Sequence, residues 1–372
     1  MRLWLCFMAR RITENRRAIS RDERGPKTNA RCSTRTKMAS AANEVRMLIM
    51  LGLLLSTTLV TLASVTAAPM SQQDYARAMG HTPTPHPGCF QSTYPIVAWN
   101  EVQCASRAMV PAYVGDGTDH SAKSGSSYMG YASGDFSTSG ITSESDSYYG
   151  SNYYSLQINS QFFTCTPAGG STADCWEQFV FQNSPVSGSN SLLYIEYWLI
   201  DYTAVNNVGN CPSTAPWSGW NLAYDSYTGL WSCWGYTQQT TLGNESPTNL
   251  SSLTFTGESD LSNSANDVAQ LCDGGGCYSR SVSDSEFQLF YYWNEAEFNV
   301  FGHGTPPGGS ASTANFNSGS SITVNVYEED TNSNSVSPSC GNGAFTAETN
   351  NLTLGSCTAV MPPLAHIYFS ES

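Results

Sequence analysis

Tyr153-Tyr-Ser-Leu-Gln-Ile-Asn-Ser-Gln-Phe-Phe163 decides the fold class of this chain. Its residues alternate: Tyr154, Leu156, Ile158 and Phe162 fall on one face, and Ser155, Gln157, Asn159 and Gln161 on the other. A period of two with the polar residues on one side is the pattern of a β-strand resting on a core. The texture recurs in Trp176–Gln182 (WEQFVFQ) and Leu192–Tyr202 (LLYIEYWLIDY). In the latter Leu193, Ile195, Tyr197 and Leu199 form one face, and Tyr194, Glu196, Trp198 and Tyr202 line the other. Leu250–Thr256, Ala296–Phe301 and Ser321–Glu328 read as further strands. One helix is predicted from the capping pattern Ser283-Asp-Ser-Glu286, with Phe287, Phe290 and Tyr291 at helical spacing and an end near Asn294. Many short strands and one short helix predict an all-β fold: an antiparallel β-sandwich of jelly-roll or concanavalin-like type.

Outward from these strands the composition does not change between Cys89 and Ser372, so 89–372 reads as a single domain. Before it, 69–88 carries Pro83, Pro85 and Pro87 and is expected to be an extended, Pro-rich leader. Residues 47–68 (MLIMLGLLLSTTLVTLASVTAA) have the apolar run and small final residues of a signal peptide, cut after Ala67 or Ala68. An uncleaved anchor is the alternative, since the run approaches spanning length. The basic segment 1–46 reads as a start placed too far upstream or as an n-region. The expected product is secreted, with no membrane attachment after cleavage.

Charge divides along the same line. Twelve of the 16 Lys and Arg precede residue 47, leaving Arg77, Arg107, Lys123 and Arg280 against 26 Asp and Glu. Such a surface repels phosphate backbones and excludes nucleic-acid binding by counterion release. Ten cysteines follow the apolar run: Cys89, Cys104, Cys165, Cys175, Cys211, Cys233, Cys272, Cys277, Cys340 and Cys357. An even number behind a signal peptide predicts a disulfide framework, with sequential pairing the simplest map. A zinc site at Cys272 and Cys277 would lack a second Cys/His pair.

The residues bear on three kinds of chemistry. No G-x-S-x-G occurs, and His120, His303 and His366 are the only histidines beyond the leader, which leaves little for a nucleophile and base. Asp116 and Asp119 in Gly115-Asp-Gly-Thr-Asp-His120 resemble a calcium loop but lack its bidentate Glu, and an Asp-Gly turn is the simpler reading. The third is a polar pair on a sheet face: Gln157, flanked by Asn159 and Gln161, and Glu297, with Asn299 on the same side. Aromatic residues among them (Trp176, Tyr194, Trp198, with Glu196) predict a groove for a polymer, glycan or peptide.

In segment order the chain resembles the eqolisin-type glutamic peptidases, secreted β-sandwich endopeptidases that work in acid. The resemblance is carried by Leu156-Gln157, Tyr194-Ile-Glu-Tyr-Trp198, Ala296-Glu297-Phe298 and, upstream, Ser133-Gly-Asp-Phe136. The chain resembles more closely a set of secreted bacterial proteins of unassigned function, through Tyr113–Ala122 and Ala314–Thr323. The peptidase resemblance implies that Gln157 polarises the scissile carbonyl and that Glu297 activates water and then protonates the leaving nitrogen. Tyr194, Glu196, Trp198 and Trp176 would contact substrate, without metal or cofactor. The chemistry is coherent: a carboxyl buried beside rings has its acid form favoured, and a side-chain amide is an oxyanion donor. The alternatives are a non-catalytic β-sandwich that binds carbohydrate or a surface, and a glycosidase using Glu196 with Glu297.

Overall fold

The computed structural model describes residues 70–109, 111, 119–125, 127–167, 169–184, 190–214, 216–224, 229–260, 266–305, 311–342, 349–362 and 364–372. The expected signal peptide at 47–68, the basic segment 1–46 and Asp116 lie outside them. The principal strands, in chain order, begin with β1 (Gly88–Thr93), β2 (His120–Lys123), β3 (Met129–Ser139), β4 (Ser155–Ser160) and β5 (Ala173–Gln182). β6 (Ser191–Ile200), β7 (Trp231–Tyr236), β8 (Thr254–Asp260) and β9 (Asn266–Cys272) follow. The last are β10 (Gly276–Ser283), β11 (Glu295–Phe301), β12 (Ser321–Asp330) and β13 (His366–Glu371).

Among the described residues two large antiparallel sheets form. One has nine strands in the order Asn100–Val102, β1, β10, β9, β8, β3, β12, β13, Thr358–Val360. The other runs Asn221–Tyr224, β7, β6, β5, β4, β11, β2, Ser339–Asn342, with Thr240–Leu242 against β6 and Phe163–Cys165 against β5. The alternation explains why they stack. Leu156 and Ile158 of β4, Phe179 and Phe181 of β5, and Leu193, Ile195, Tyr197 and Leu199 of β6 point to one side. Together with Ala296, Phe298 and Val300 of β11 they share a single core with Phe136, Phe255, Leu271, Val324 and Phe369 of the nine-stranded sheet. The chain is therefore an antiparallel β-sandwich, and Ala68–Ser372 is one compact unit. The sheets leave no room for a side chain at two glycines: a Cβ on Gly134 of β3 would sit 2.0 Å from the Phe298 ring, and one on Gly257 of β8 2.5 Å from Phe179.

The cysteines pair sequentially, 89–104, 165–175, 211–233, 272–277 and 340–357. Five such bonds belong to an oxidising, extracytoplasmic compartment. No described helix is long and apolar enough to cross a membrane.

Four expectations are corrected. The leader at 69–88 is not extended throughout: Gln72–Gly80 is an α-helix, α1, capped by Ser71 Oγ, which accepts from the Asp74 N–H at 3.0 Å. Tyr75, Ala76 and Met79 of α1 lie one helical turn apart and bury against the Cys272–Cys277 bond, a face that the following prolines hid. No α-helix spans 283–294; the segment turns and ends in a single 3-10 turn, Leu289–Tyr291. Gln288 is left-handed there (φ 55°), and Asp284, not a capping box with Glu286, accepts the Leu289 N–H at 3.0 Å. The strand expected from Leu250 starts at Thr254, because Pro247, behind the Ser246 cap, opens a 3-10 helix, Pro247–Ser252. Phe162 and Tyr202 lie beyond the ends of β4 and β6 and take the opposite sides from those expected: Phe162 packs with Trp176, and Tyr202 joins the main core.

Candidate active site

The outward face of the ten-stranded sheet carries all six predicted site residues, and strand register arranges them in three rows. The middle row runs Tyr236, Glu196, Gln178, Asn159, Glu297, Ser121, Gly341 across seven strands. The row on one side is Trp234, Trp198 and Trp176, with ring centroids 6.2 Å apart at each step. The row on the other is Tyr194, Val180, Gln157 and Asn299. Gln157 and Glu297 thus occupy adjacent, hydrogen-bonded strands, β4 and β11, on one face and one row apart.

Side-chain amides knit these rows together. Gln178 Nε2 donates to Gln157 Oε1 at 2.8 Å and to Asn159 Oδ1 at 3.1 Å, while Gln178 Oε1 accepts from Trp198 Nε1 at 2.8 Å. Asn159 Nδ2 in turn donates to Glu297 Oε2 at 3.4 Å. Gln157 Nε2 donates to Ser155 Oγ at 2.8 Å, and Ser155 Oγ to the Gly302 carbonyl at 2.7 Å. Trp176 Nε1 is held by the Ser160 carbonyl at 2.8 Å. Beyond Glu297, Lys123 pairs with Glu295 at 3.2 Å, and Ser121 Oγ also donates to Glu295. Asn299 donates to both Asp119 and Glu371.

Two features differ from the sequence reading. Asn159 donates to Glu297, and Gln157 is linked to Asn159 through Gln178. Register explains this, since Asn159 stands directly opposite Glu297 while Gln157 stands opposite Asn299. The face is also buried and not an open trough: Gln157 is 0% and Glu297 3% exposed, and Tyr194, Glu196, Trp176 and Trp198 are buried with them. Met109 and Phe162 pack on the tryptophan row. A cavity of about 270 Å³ beside α1 and another of about 220 Å³ beside Glu286 lie away from these residues.

Gln178 is the residue that the sequence reading missed. The signal was present, because Trp176, Gln178 and Val180 alternate with Glu177, Phe179 and Phe181, but only the pairing with Glu196 and Asn159 makes Gln178 the hub. Other candidates disperse. Asp119 accepts from the His120 N–H at 2.7 Å, and His120 Nε2 contacts the Gly355 carbonyl. His303 is walled by Tyr149 and Tyr153, and burial lowers it to about 4. Glu196 and Glu297 are three strand spacings apart, roughly 14 Å at the backbone, with Gln178 and Asn159 between them, which is too wide for a glycosidase pair.

No family model, curated protein or solved structure matches the chain.

Proposed function

We propose that the chain is a secreted acid endopeptidase of the glutamic type, with Glu297 as its acid–base group and Gln157 as its oxyanion amide. One observation carries this reading: Glu297 and Gln157, 140 residues apart in the chain, share one face of one sheet on neighbouring strands. The ladder of amides gives the arrangement the fixed geometry that electrostatic catalysis requires. Asn159 orients Glu297 Oε2, and Gln178, clamped by Trp198, holds Gln157 Oε1 so that its NH2 group points away from the ladder. In the reaction Glu297 takes a proton from water as the water oxygen bonds to the scissile carbon. Gln157 donates to the oxygen that gains charge, and the protonated Glu297 returns its proton to the leaving nitrogen. Tyr194, Glu196, Trp198 and Trp176, buried on the same face, would have to be uncovered to contact substrate. Secretion accords with the five disulfides and the signal-like run at 47–68.

The test is hydrolysis of unfolded casein at pH 2–5 by wild type and by Glu297→Gln. The variant is expected to lose at least 100-fold in rate; equal rates end the proposal.

A second reading, a β-sandwich that binds carbohydrate, rests on a different observation. Tyr224 and Trp231 at the edge of the ten-stranded sheet are 57% and 46% exposed, with centroids 5.1 Å apart. Rings so placed are a platform for a sugar face, whereas Trp198 is buried. Glycan-array binding abolished by Trp231→Ala would favour it, and a blank array would remove it.

A further inference from the structure

Residues 70–372 contain four Lys and Arg side chains, each with partners of its own. Arg77 meets Asp74, Lys123 meets Glu295, Arg107 donates to the Asn190 carbonyl, and Arg280 donates to the Ser281 carbonyl beside the Cys89–Cys104 sulfurs. Three carboxylates nevertheless converge between the sheets. Glu177 projects inward from β5, between Cys175 and Phe179, and Asp267 inward from β9 on the side of Ala269 and Leu271. Asp284 follows β10. One oxygen from each lies within 4.8 Å of the other two.

All three residues are buried, Glu177 and Asp267 completely. Neither oxygen of Glu177 and neither of Asp267 has a well-aligned hydrogen-bond donor, and their nearest polar neighbours are one another, Asp284 and the Ser259 hydroxyl. Asp284 is better served, accepting from the Leu289 N–H at 3.0 Å and from Ser259 Oγ at 3.3 Å, with the Phe290 N–H close by. No Lys, Arg or His among the described residues pairs with any of the three. Carboxylates buried in this state require a counter-charge or a proton.

We propose that Glu177, Asp267 and Asp284 form a site for a divalent cation of the hard, oxygen-seeking class, Ca²⁺, which clamps the two sheets together. Oxygens bound to one calcium at about 2.4 Å are at most about 4.8 Å apart, which these three satisfy. The set is all oxygen, without His or Cys, which selects calcium, magnesium or manganese over zinc or copper. Calcium suits it best because it tolerates irregular coordination, whereas magnesium demands near-octahedral geometry. Ser259 stands opposite Asp267 in register and supplies a neutral oxygen. A cavity of about 220 Å³ adjoins the cluster, lined by Val282, the register partner of Asp267, by Ser283, Ser285 and Glu286, and on another side by Arg280. Glu286 Oε1 also lacks a donor.

The proposal does not depend on the peptidase reading. The purified full chain, stripped with EDTA at pH 7.5, is titrated with calcium chloride to 10 mM while its melting temperature is followed. A saturable rise of about 5 °C is expected. Tb³⁺ is the second probe. Its luminescence, sensitised by Tyr197, the register partner of Glu177, should appear and be displaced by Ca²⁺. Asp267→Asn and Glu177→Gln preserve shape and should each abolish both responses. A wild type with no shift and no Tb³⁺ emission overturns the site and leaves shared protons holding the cluster. Undiminished responses in both variants overturn it too, because the cations then bind the acidic surface.

Discussion

Glu144 offers a direct test of how the sandwich tolerates buried acid. It lies in the small sheet Glu144–Asp146, Gly150–Ser151 and Ala314–Phe316, is 3% exposed, and neither of its carboxyl oxygens has a well-aligned donor. Its neighbour Asp146 is satisfied, accepting from the N–H groups of Tyr148, Tyr149 and His303 at 2.8, 2.8 and 3.0 Å. Burial, and then the Asp146 charge, push Glu144 from 4.5 to about 8, tempered by the nearby N–H groups of Tyr153 and Asn152. The sign follows from proton counting. Between 4.5 and 8 the folded chain holds a proton that the unfolded chain has released, so this stabilisation is complete below about 4.5 and is lost as pH rises towards 8. At about 1.4 kcal/mol per unit the ceiling is about 5 kcal/mol, and relaxation around a buried charge reduces this to roughly 2–3 kcal/mol. Glu144→Gln keeps the shape and cannot ionise. Melting temperatures of variant and wild type, measured from pH 4 to 8.5, should therefore diverge by about 5 °C in the variant's favour as pH rises. A difference that stays constant across that range refutes the reasoning.

Gly134→Ala should cost about 1–3 kcal/mol in denaturant unfolding, because its methyl would enter the Phe298 ring. If the peptidase reading holds, casein turnover should fall further than stability alone accounts for, since Phe298 sits between Glu297 and Asn299 on β11. Removing the 211–233 bond by Cys211→Ala with Cys233→Ala opens a 22-residue loop and should cost about 3 kcal/mol, read as a lower denaturant midpoint.

What could be read from the sequence was whatever repeats at period two. β4, β5, β6, β11 and β12 emerge from alternation alone, and the division of Leu193, Ile195, Tyr197 and Leu199 from Tyr194, Glu196 and Trp198 is the division the sheet makes. What could not be read depends on which strands become neighbours. That β4 separates β5 from β11 makes Asn159 the contact of Glu297, and nothing local to either segment encodes this. Local signals failed where tertiary packing overrode them. Ser283-Asp-Ser-Glu286 has the letters of a capping box, but Asp284 is drawn inward beside Asp267 and Glu177, and the helix does not start. Conversely α1 was obscured by the three prolines after it, although Tyr75, Ala76 and Met79 already formed an apolar stripe. The acid cluster between the sheets was also invisible, because Glu177 and Asp267 lie 90 residues apart in the chain.

A fully buried amide hub at the centre of a sheet breaks the rule that strand interiors are apolar, and such departures mark places where function constrains the fold. Gln178→Glu tests whether the ladder has the direction described. Gln178 gives its two hydrogens to Gln157 Oε1 and Asn159 Oδ1, so a carboxylate there would face two acceptor oxygens with nothing to donate. Protonated, the same carboxyl retains one O–H donor and a carbonyl for Trp198 Nε1. The variant should thus be near wild type in stability at pH 3 and lose up to about 1.4 kcal/mol relative to it for each pH unit above the pKa of the unfolded carboxyl, until its folded pKa is reached. Casein cleavage, if Glu297 and Gln157 perform it, should follow the same curve, because ionisation at position 178 releases both Gln157 and the Asn159 that orients Glu297. A stability difference that does not change between pH 3 and pH 7 would mean that Gln178 accepts where it is described as donating, and the orientation assigned to Gln157 would fall with it.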